Sequence, residues 1–184
     1  NIQEKITEKT KAILPVHYAG QPCDMEAIKE IAEKHDLFVI EDAAHAIGAE
    51  YKGRKIGTIG DLTVFSFHAA KNIVTGEGGV VTTDNEELYK KLLLLRSHGI
   101  DKPTMQRYGA SAGYEYDMKV LARNYRITDI QCAIGLTQLR RFNEFFSGRQ
   151  KIVELYNKGL SKIPEITLPF VTPNVRHGWN IYTI

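Results

Sequence analysis

Four consecutive apolar residues, Leu37, Phe38, Val39 and Ile40, run straight into two acids, Glu41 and Asp42. A strand that alternates polar and apolar side chains can leave one face in water. A continuously apolar strand reads as covered on both faces, the condition of a parallel sheet. Ahead of it, AILPV (Ala12–Val16) reads as a second buried strand. Between them Asp24 stands as an N-cap before Met25, Ile28, Ile31 and Ala32, which fall at helical spacing. Residues 12–44 therefore read as strand, helix, strand, a unit whose two strands run parallel.

The alternation continues along the chain. Residues 2–9 read as a short helix, and YKGRKIGTIGD as a turn-rich connection. LTVFSF and GGVVTTD read as strands, and NEELYKKLLLLRSHG as a helix ending near Gly99. Acids in the first turn of that helix, with Arg96 and His98 in the last, suit its dipole. Residues 101–122 carry turn formers and no period, the mark of a long functional or disordered loop. A long helix is expected from Thr128 to about Phe145, capped by Thr128 or Asp129. Ile130, Ala133, Ile134 and Thr137 would line one face and Cys132, Leu136 and Leu139 another, so its first half should be buried on two sides. A helix over 147–162 follows, then strand-like ITLPFV and WNIYTI.

Charge and composition narrow the function. The net charge is +2 with the basic residues scattered, which calls for neither nucleic acid nor a membrane surface. No apolar run reaches the roughly 18 residues of a membrane span. Cys23 and Cys132 lack metal-ligand spacing and read as free thiols in a reducing cytosol, and no metal site is expected. The chain begins without methionine and ends within strand-like sequence, so it reads as part of a longer protein.

Open α/β sheets bind ligands at the carboxyl ends of their strands. That rule selects His17 and Tyr18, Asp42 to His45, and Ser66 to Lys71. Each has an ordinary use when taken alone. Asp42 serves as a helix cap, Lys71 as a salt-bridge partner, Ser66 as a strand hydroxyl, and His45 and His68 as packed, hydrogen-bonded rings. Taken together they match the needs of pyridoxal phosphate. Lys71 supplies an amine for the aldehyde, Asp42 a carboxylate for the ring nitrogen, Ser66 a hydroxyl for the phosphate, and His45 a flat surface against the ring. Glu41 points to the opposite face of the strand from Asp42. Gly76, Gly78 and Gly79 either make the turn from loop to strand or let backbone pack beneath the lysine.

The segments EDAAHAIGAEYKGRKIGTIGDLTVFSFHAAKNIVTGEGGVVTTDNEEL and RNYRITDIQCAIGLTQL resemble the DegT/DnrJ/EryC1/StrS family of sugar aminotransferases. TKAILPVHYAGQPCDM is similar to members that aminate 4-keto nucleotide sugars. The resemblance implies an α/β fold of aminotransferase fold type I, with a mostly parallel sheet flanked by helices. It implies that residues 1–145 form part of the large cofactor-binding domain, and 146–184 a connecting helix and the start of a small C-terminal domain. It makes Lys71 the lysine that carries pyridoxal 5'-phosphate covalently, with Asp42, His45 and Ser66 as cofactor-binding residues. Asn124 resembles an asparagine that reaches across a homodimer interface to a neighbouring phosphate, although Ala122 and Arg123 stand where the family has glycine and an aromatic residue.

A branch of the family with histidine in place of the lysine dehydrates or deoxygenates sugars. Lysine at position 71 implies transamination instead. The reaction implied is transfer of an amino group from L-glutamate to a keto nucleotide sugar, for cytoplasmic amino-sugar or surface-polysaccharide biosynthesis. Family members carry further phosphate-binding residues in an amino-terminal part that precedes these motifs. The alternative reading is therefore a truncated or non-catalytic relative that keeps the fold for assembly or regulation. Tyr108, Tyr114 and Tyr116 in the long loop are candidates for nucleotide or sugar contact.

Overall fold

The strand–helix–strand unit forms in the main sheet, but its first strand is Ala12–Ile13 alone, half-buried rather than buried, with Leu14 and Val16 exposed beyond it. A computed structural model describes residues 1–101 and 117–184. In chain order the strands are β1 (Ala12–Ile13), β2 (Phe38–Asp42), β3 (Glu50–Tyr51), β4 (Arg54–Lys55), β5 (Leu62–Ser66), β6 (Gly79–Thr82) and β7 (Val175–Arg176). The helices are α1 (Met25–Lys34), α2 (Glu86–Arg96), α3 (Asp129–Arg140) and α4 (Phe142–Leu160). The main sheet has the order β1-β2-β5-β6, with β1, β2 and β5 parallel and β6 antiparallel. The fold is α/β with a mostly parallel sheet, as expected.

Helix α1 starts where the sequence places its cap, because Asp24 Oδ1 accepts the N–H of Ala27 at 3.3 Å. It lays Met25, Ile28 and Ala32 onto the sheet, where they join Val39, Ala43, Ala46, Tyr51, Ile59 and Phe65 in one core. Each such side chain, fully buried, is worth about 1.5–3 kcal/mol of transfer free energy. Alternation along β2 and β5 sends Val39, Glu41, Thr63 and Phe65 into that core. The other face of the sheet is more open, with Phe38 53% and Val64 40% exposed. Cover on both faces was expected from the apolar run; the core described here covers one.

The local structure departs from expectation in several places. Residues 2–9 hold only a 3-10 turn, Gln3–Lys5. The turn-rich connection after residue 50 contains a second sheet, order β4-β3-β7, which pairs Glu50 with Arg176. The tail segments ITLPFV and WNIYTI are not strands; the strand lies between them, at β7. The long helix breaks at Arg141 (φ −96°, ψ 5°). Long-range packing accompanies the break. A Cβ on Gly48 would come within 2.0 Å of the Phe142 ring, so this ring occupies the space that Gly48 leaves. Phe146 is buried next, with the Arg176 guanidinium 4.1 Å above its ring. The apolar faces expected to bury α3 are largely open, Ile130 at 77% and Leu136 at 57% exposed, and its buried residue is Gly135.

The chain divides into two compact units, Asn1–Thr83 with Asp129–Ile184, and Asp84–Thr128. In the second, Asn85 caps α2 by accepting from the N–H groups of Glu87 and Leu88. After α2 the chain returns on itself, with isolated bridges Ser97–Asn124 and Ile100–Met118. Tyr108, Tyr114 and Tyr116 lie outside the described residues. Among those residues no helix is long and apolar enough to cross a membrane.

Candidate functional site

Parallel pairing sets the carboxyl ends of β1, β2 and β5 side by side. Asp42 ends β2 and is opposite Val64 of β5. Ser66 lies two residues beyond Val64, so alternation puts Asp42 and Ser66 on one face. Asp42 is tied into the sheet on both sides of its peptide. Its N–H donates to the carbonyl of Pro15 at 2.9 Å, its carbonyl accepts the N–H of His17 at 3.0 Å, and the next N–H, of Ala43, donates to Val64 at 2.9 Å. Its Oδ1 accepts the N–H of Ala44 at 3.0 Å. The carboxylate is half-buried rather than sealed.

His45 follows on the turn after β2. Its Nδ1 accepts the N–H of Ala19 at 3.3 Å. A nitrogen that accepts carries no proton, so the neutral ring holds its proton on Nε2 and presents a donor there. Burial lowers the His45 pKa, the charge of Lys71 lowers it further, and Asp42 pulls it upward. Lys71 and Asp42 are therefore the two charges that act on this ring. Tyr18 stands edge-on to His45, ring centres 6.0 Å apart.

Lys71 is half-buried on the loop between β5 and β6. Its N–H closes a turn to the carbonyl of His68 at 2.9 Å. The loop is stitched shut at its base, where Phe67 accepts from Thr75 and donates to Gly78. Helix α3 buttresses it: Gln131 donates to the Glu77 carbonyl at 2.8 Å, and Gly135 approaches so closely that a Cβ would sit 3.0 Å from the Thr75 methyl. Of the two uses foreseen for the glycines, the turn is the one that the backbone geometry supports. Gly76 has φ +83° with open space around it, so it serves the turn, while Gly79 packs where a Cβ would come 2.9 Å from the Phe65 carbonyl. Ser66 Oγ accepts the N–H of His68 at 3.3 Å, which leaves its O–H to donate elsewhere.

Asn124 belongs to the second unit. It is exposed, and its Oδ1 accepts the N–H of Arg126 at 3.2 Å.

Three participants were not assigned by sequence reasoning. Glu41 is fully buried and accepts from His17, Gly60 and Thr63. Burial works to raise its pKa, but these donors outweigh it and hold the carboxyl below the usual range. Alternation already sends this acid into the core, and a buried acid demands partners. That was the available signal. His17 is the main partner. Asn72, next to the lysine and 7% exposed, donates to the Gly178 carbonyl at 2.7 Å. No local pattern marks that pairing.

The profile of the DegT/DnrJ/EryC1/StrS aminotransferase family matches residues 1–184. The chain is 43% identical over 183 residues to the spore coat polysaccharide biosynthesis protein SpsC of Bacillus subtilis, covering all of this chain and 47% of that protein. It is 43% identical over 184 residues to the GDP-perosamine synthase of Caulobacter vibrioides, again covering all of the chain and 47% of the relative. The chain spans about half the length of the curated relatives it matches. Among solved structures it is similar to the putative sugar aminotransferase Spr1654 from Streptococcus pneumoniae in its PMP form. There the TM-score is 0.88 at 34% identity, over 98% of this chain and 50% of the other. A PLP form of the same protein gives 0.85.

Proposed function

Because the chain belongs to the DegT/DnrJ/EryC1/StrS aminotransferase family, we propose that it carries the lysine and aspartate side of a pyridoxal-phosphate site. In that site an amino group passes from L-glutamate to a keto nucleotide sugar, with the 4-keto position as the acceptor. The observation that carries this reading is geometric: parallel pairing sets Asp42 at the end of β2 opposite Val64 and on one face with Ser66, while His45 follows β2 and Lys71 follows β5.

The residues present fit the cofactor by the chemistry of their donors and acceptors. The amine of Lys71 suits an aldehyde, the Asp42 carboxylate suits a protonated ring nitrogen, and the Ser66 hydroxyl suits a phosphate oxygen. When bound, pyridoxal phosphate supplies the electron sink that makes an α-amino C–H bond acidic. Lys71 Nζ takes the proton from the α-carbon of the amino donor and later returns one, as base and then as acid. Asp42, held by its backbone and by Ala44, keeps the ring-nitrogen proton in place. His45 offers Nε2–H as a donor of fixed direction. Asn124, exposed on its own unit, serves a neighbouring copy's phosphate in a homodimer. The names of the relatives support a role in amino-sugar or polysaccharide biosynthesis, and we place the reaction in the cytoplasm.

The test is borohydride reduction of the protein mixed with pyridoxal phosphate, followed by peptide mass spectrometry and an amino-transfer assay with L-glutamate and 4-keto nucleotide sugars. Label on Lys71 together with an amino-sugar product is the expected result. Label on other lysines alone, with no product from the protein at its natural length, would overturn the reading in favour of a non-catalytic relative.

A further inference from the structure

His17 grips two consecutive residues of β2 at once. Its backbone N–H donates to the carbonyl of Asp42 at 3.0 Å, and its ring Nε2 meets Glu41 Oε2 at 2.8 Å. The ring has one orientation open to it. Nδ1 accepts the N–H of Cys23 at 3.0 Å, so the proton lies on Nε2 and points to the carboxylate. Both side chains are 0% exposed.

Glu41 is satisfied on its other oxygen as well. Oε1 accepts the N–H of Gly60 at 2.7 Å and the hydroxyl of Thr63 at 2.8 Å. The network therefore joins the turn after β1, the end of β2, the turn before β5 and β5 itself. The same turn that begins at His17 reaches the cofactor side. Two residues on, the N–H of Ala19 donates to Nδ1 of His45, and Gly20 closes the turn onto the His17 carbonyl at 3.2 Å. One buried residue thus references both Asp42, through the sheet, and His45, through the turn.

A buried polar pair is a poor way to gain stability, since apolar side chains of similar volume fill such space at less desolvation cost. What an apolar pair lacks is direction. It packs in several rotamers, whereas this carboxylate has three donors and one arrangement that satisfies them all. We propose that His17 and Glu41 are positioning residues that aim the Asp42 carboxylate and the His45 ring at the cofactor. The proposal rests on the reading of Asp42 as the partner of the ring nitrogen.

The experiment uses the protein at its natural length, with pyridoxal phosphate as the probe. Glu41→Gln keeps the shape and removes the charge. Thr63→Val removes one donor with little change in volume and decides the matter if Glu41→Gln does not fold. Val39→Ala, a cavity in the same strand and on the same buried face, controls for stability alone. Three quantities are measured: melting temperature without cofactor, the pyridoxal-phosphate dissociation constant, and the pH titration of the visible band.

Glu41→Gln should weaken cofactor binding about tenfold, the low end of what the loss of an outer-shell partner costs at metal sites. Thr63→Val should weaken it about threefold, the effect of one modest hydrogen bond. Both should displace the visible-band titration, and Val39→Ala should lower the melting temperature while leaving that titration in place. If Glu41→Gln and Thr63→Val behave like Val39→Ala, the positioning role is overturned and the network is structural. Asp42→Asn separates the two levels. If it leaves affinity and band unchanged, the assignment of Asp42 fails first and the positioning role falls with it.

Discussion

The side-chain amide of Asn72 donates to the carbonyl of Gly178 at 2.7 Å, joining the residue after Lys71 to a segment more than a hundred positions away. Gly178 in turn donates to the carbonyl of Gly20 at 2.7 Å, and Asn180 and Ile181 donate to Ala19. The lysine loop, the turn that holds His45 and the C-terminal segment are therefore one cross-braced assembly. The Oδ1 of Asn72 is buried without a hydrogen-bond partner among the described residues.

Replacing Asn72 should show what that brace is worth. Asn72→Ala leaves the Gly178 carbonyl without this donor, which costs about 1–3 kcal/mol when such a group is buried. Urea unfolding would measure the loss, and amide exchange should quicken over residues 177–181.

Lys71→Ala should abolish borohydride-dependent labelling at that position and reduce amino transfer by about a thousandfold or more, within the range for loss of a general acid–base group. His45 should report the same change from the neighbouring side. With the cation gone, one of the two influences that depress its pKa disappears, so its pKa should rise. Imidazole chemical shifts followed against pH would detect it.

His177 ties stability to pH. Burial pushes its pKa from 6.5 down to about 4, and its Nδ1 accepts the N–H of Trp179 at 2.8 Å. The unfolded chain takes up a proton as pH falls through 6.5 while the folded protein does not. Stability from this group is therefore complete above that pH and declines as pH falls toward about 4. The full decline is about 3 kcal/mol. His177→Asn keeps an acceptor without a titrating proton, so denaturant midpoints measured across that window should lose the part of their slope that this ring contributes. The depressed Glu41 carboxyl acts at lower pH, its contribution lost as pH falls through its folded value.

Gly20→Ala should be severe. Gly20 has φ +103°, and a Cβ there would lie 2.7 Å from the Trp179 nitrogen and 2.9 Å from the His45 carbonyl, both backbone atoms that cannot swing away. A loss of about 3 kcal/mol or more is expected from strain and clash together. A calorimetric melt would read it, and Gly53→Ala, where no atom lies within 4 Å, should cost much less despite φ +78°.

Legibility in the sequence followed the range of the interactions involved. The cap at Asp24, the apolar face of α1, and the strands β2 and β5 each depend on neighbours within a few residues, so period and spacing disclosed them. The grouping of Asp42, His45, Ser66 and Lys71 near strand ends was legible for the same reason, since each lies just beyond its own apolar run. Period also misled. The pattern over 128–145 contains no sign of the break at Arg141, after which Phe142 packs against Gly48, nearly a hundred residues earlier in the chain.

By itself the sequence determined the α/β class, the order of the main elements and the residues set out at the strand ends. Their local periods and caps are short-range physics. Tertiary structure alone decided that Glu50 pairs with Arg176, that Asn72 reaches Gly178, and that His17 clamps Glu41 and Asp42 together. Each of these joins groups far apart in the chain. They form because buried polar atoms must find partners wherever the fold brings them, and spacing along the chain carries no trace of that demand.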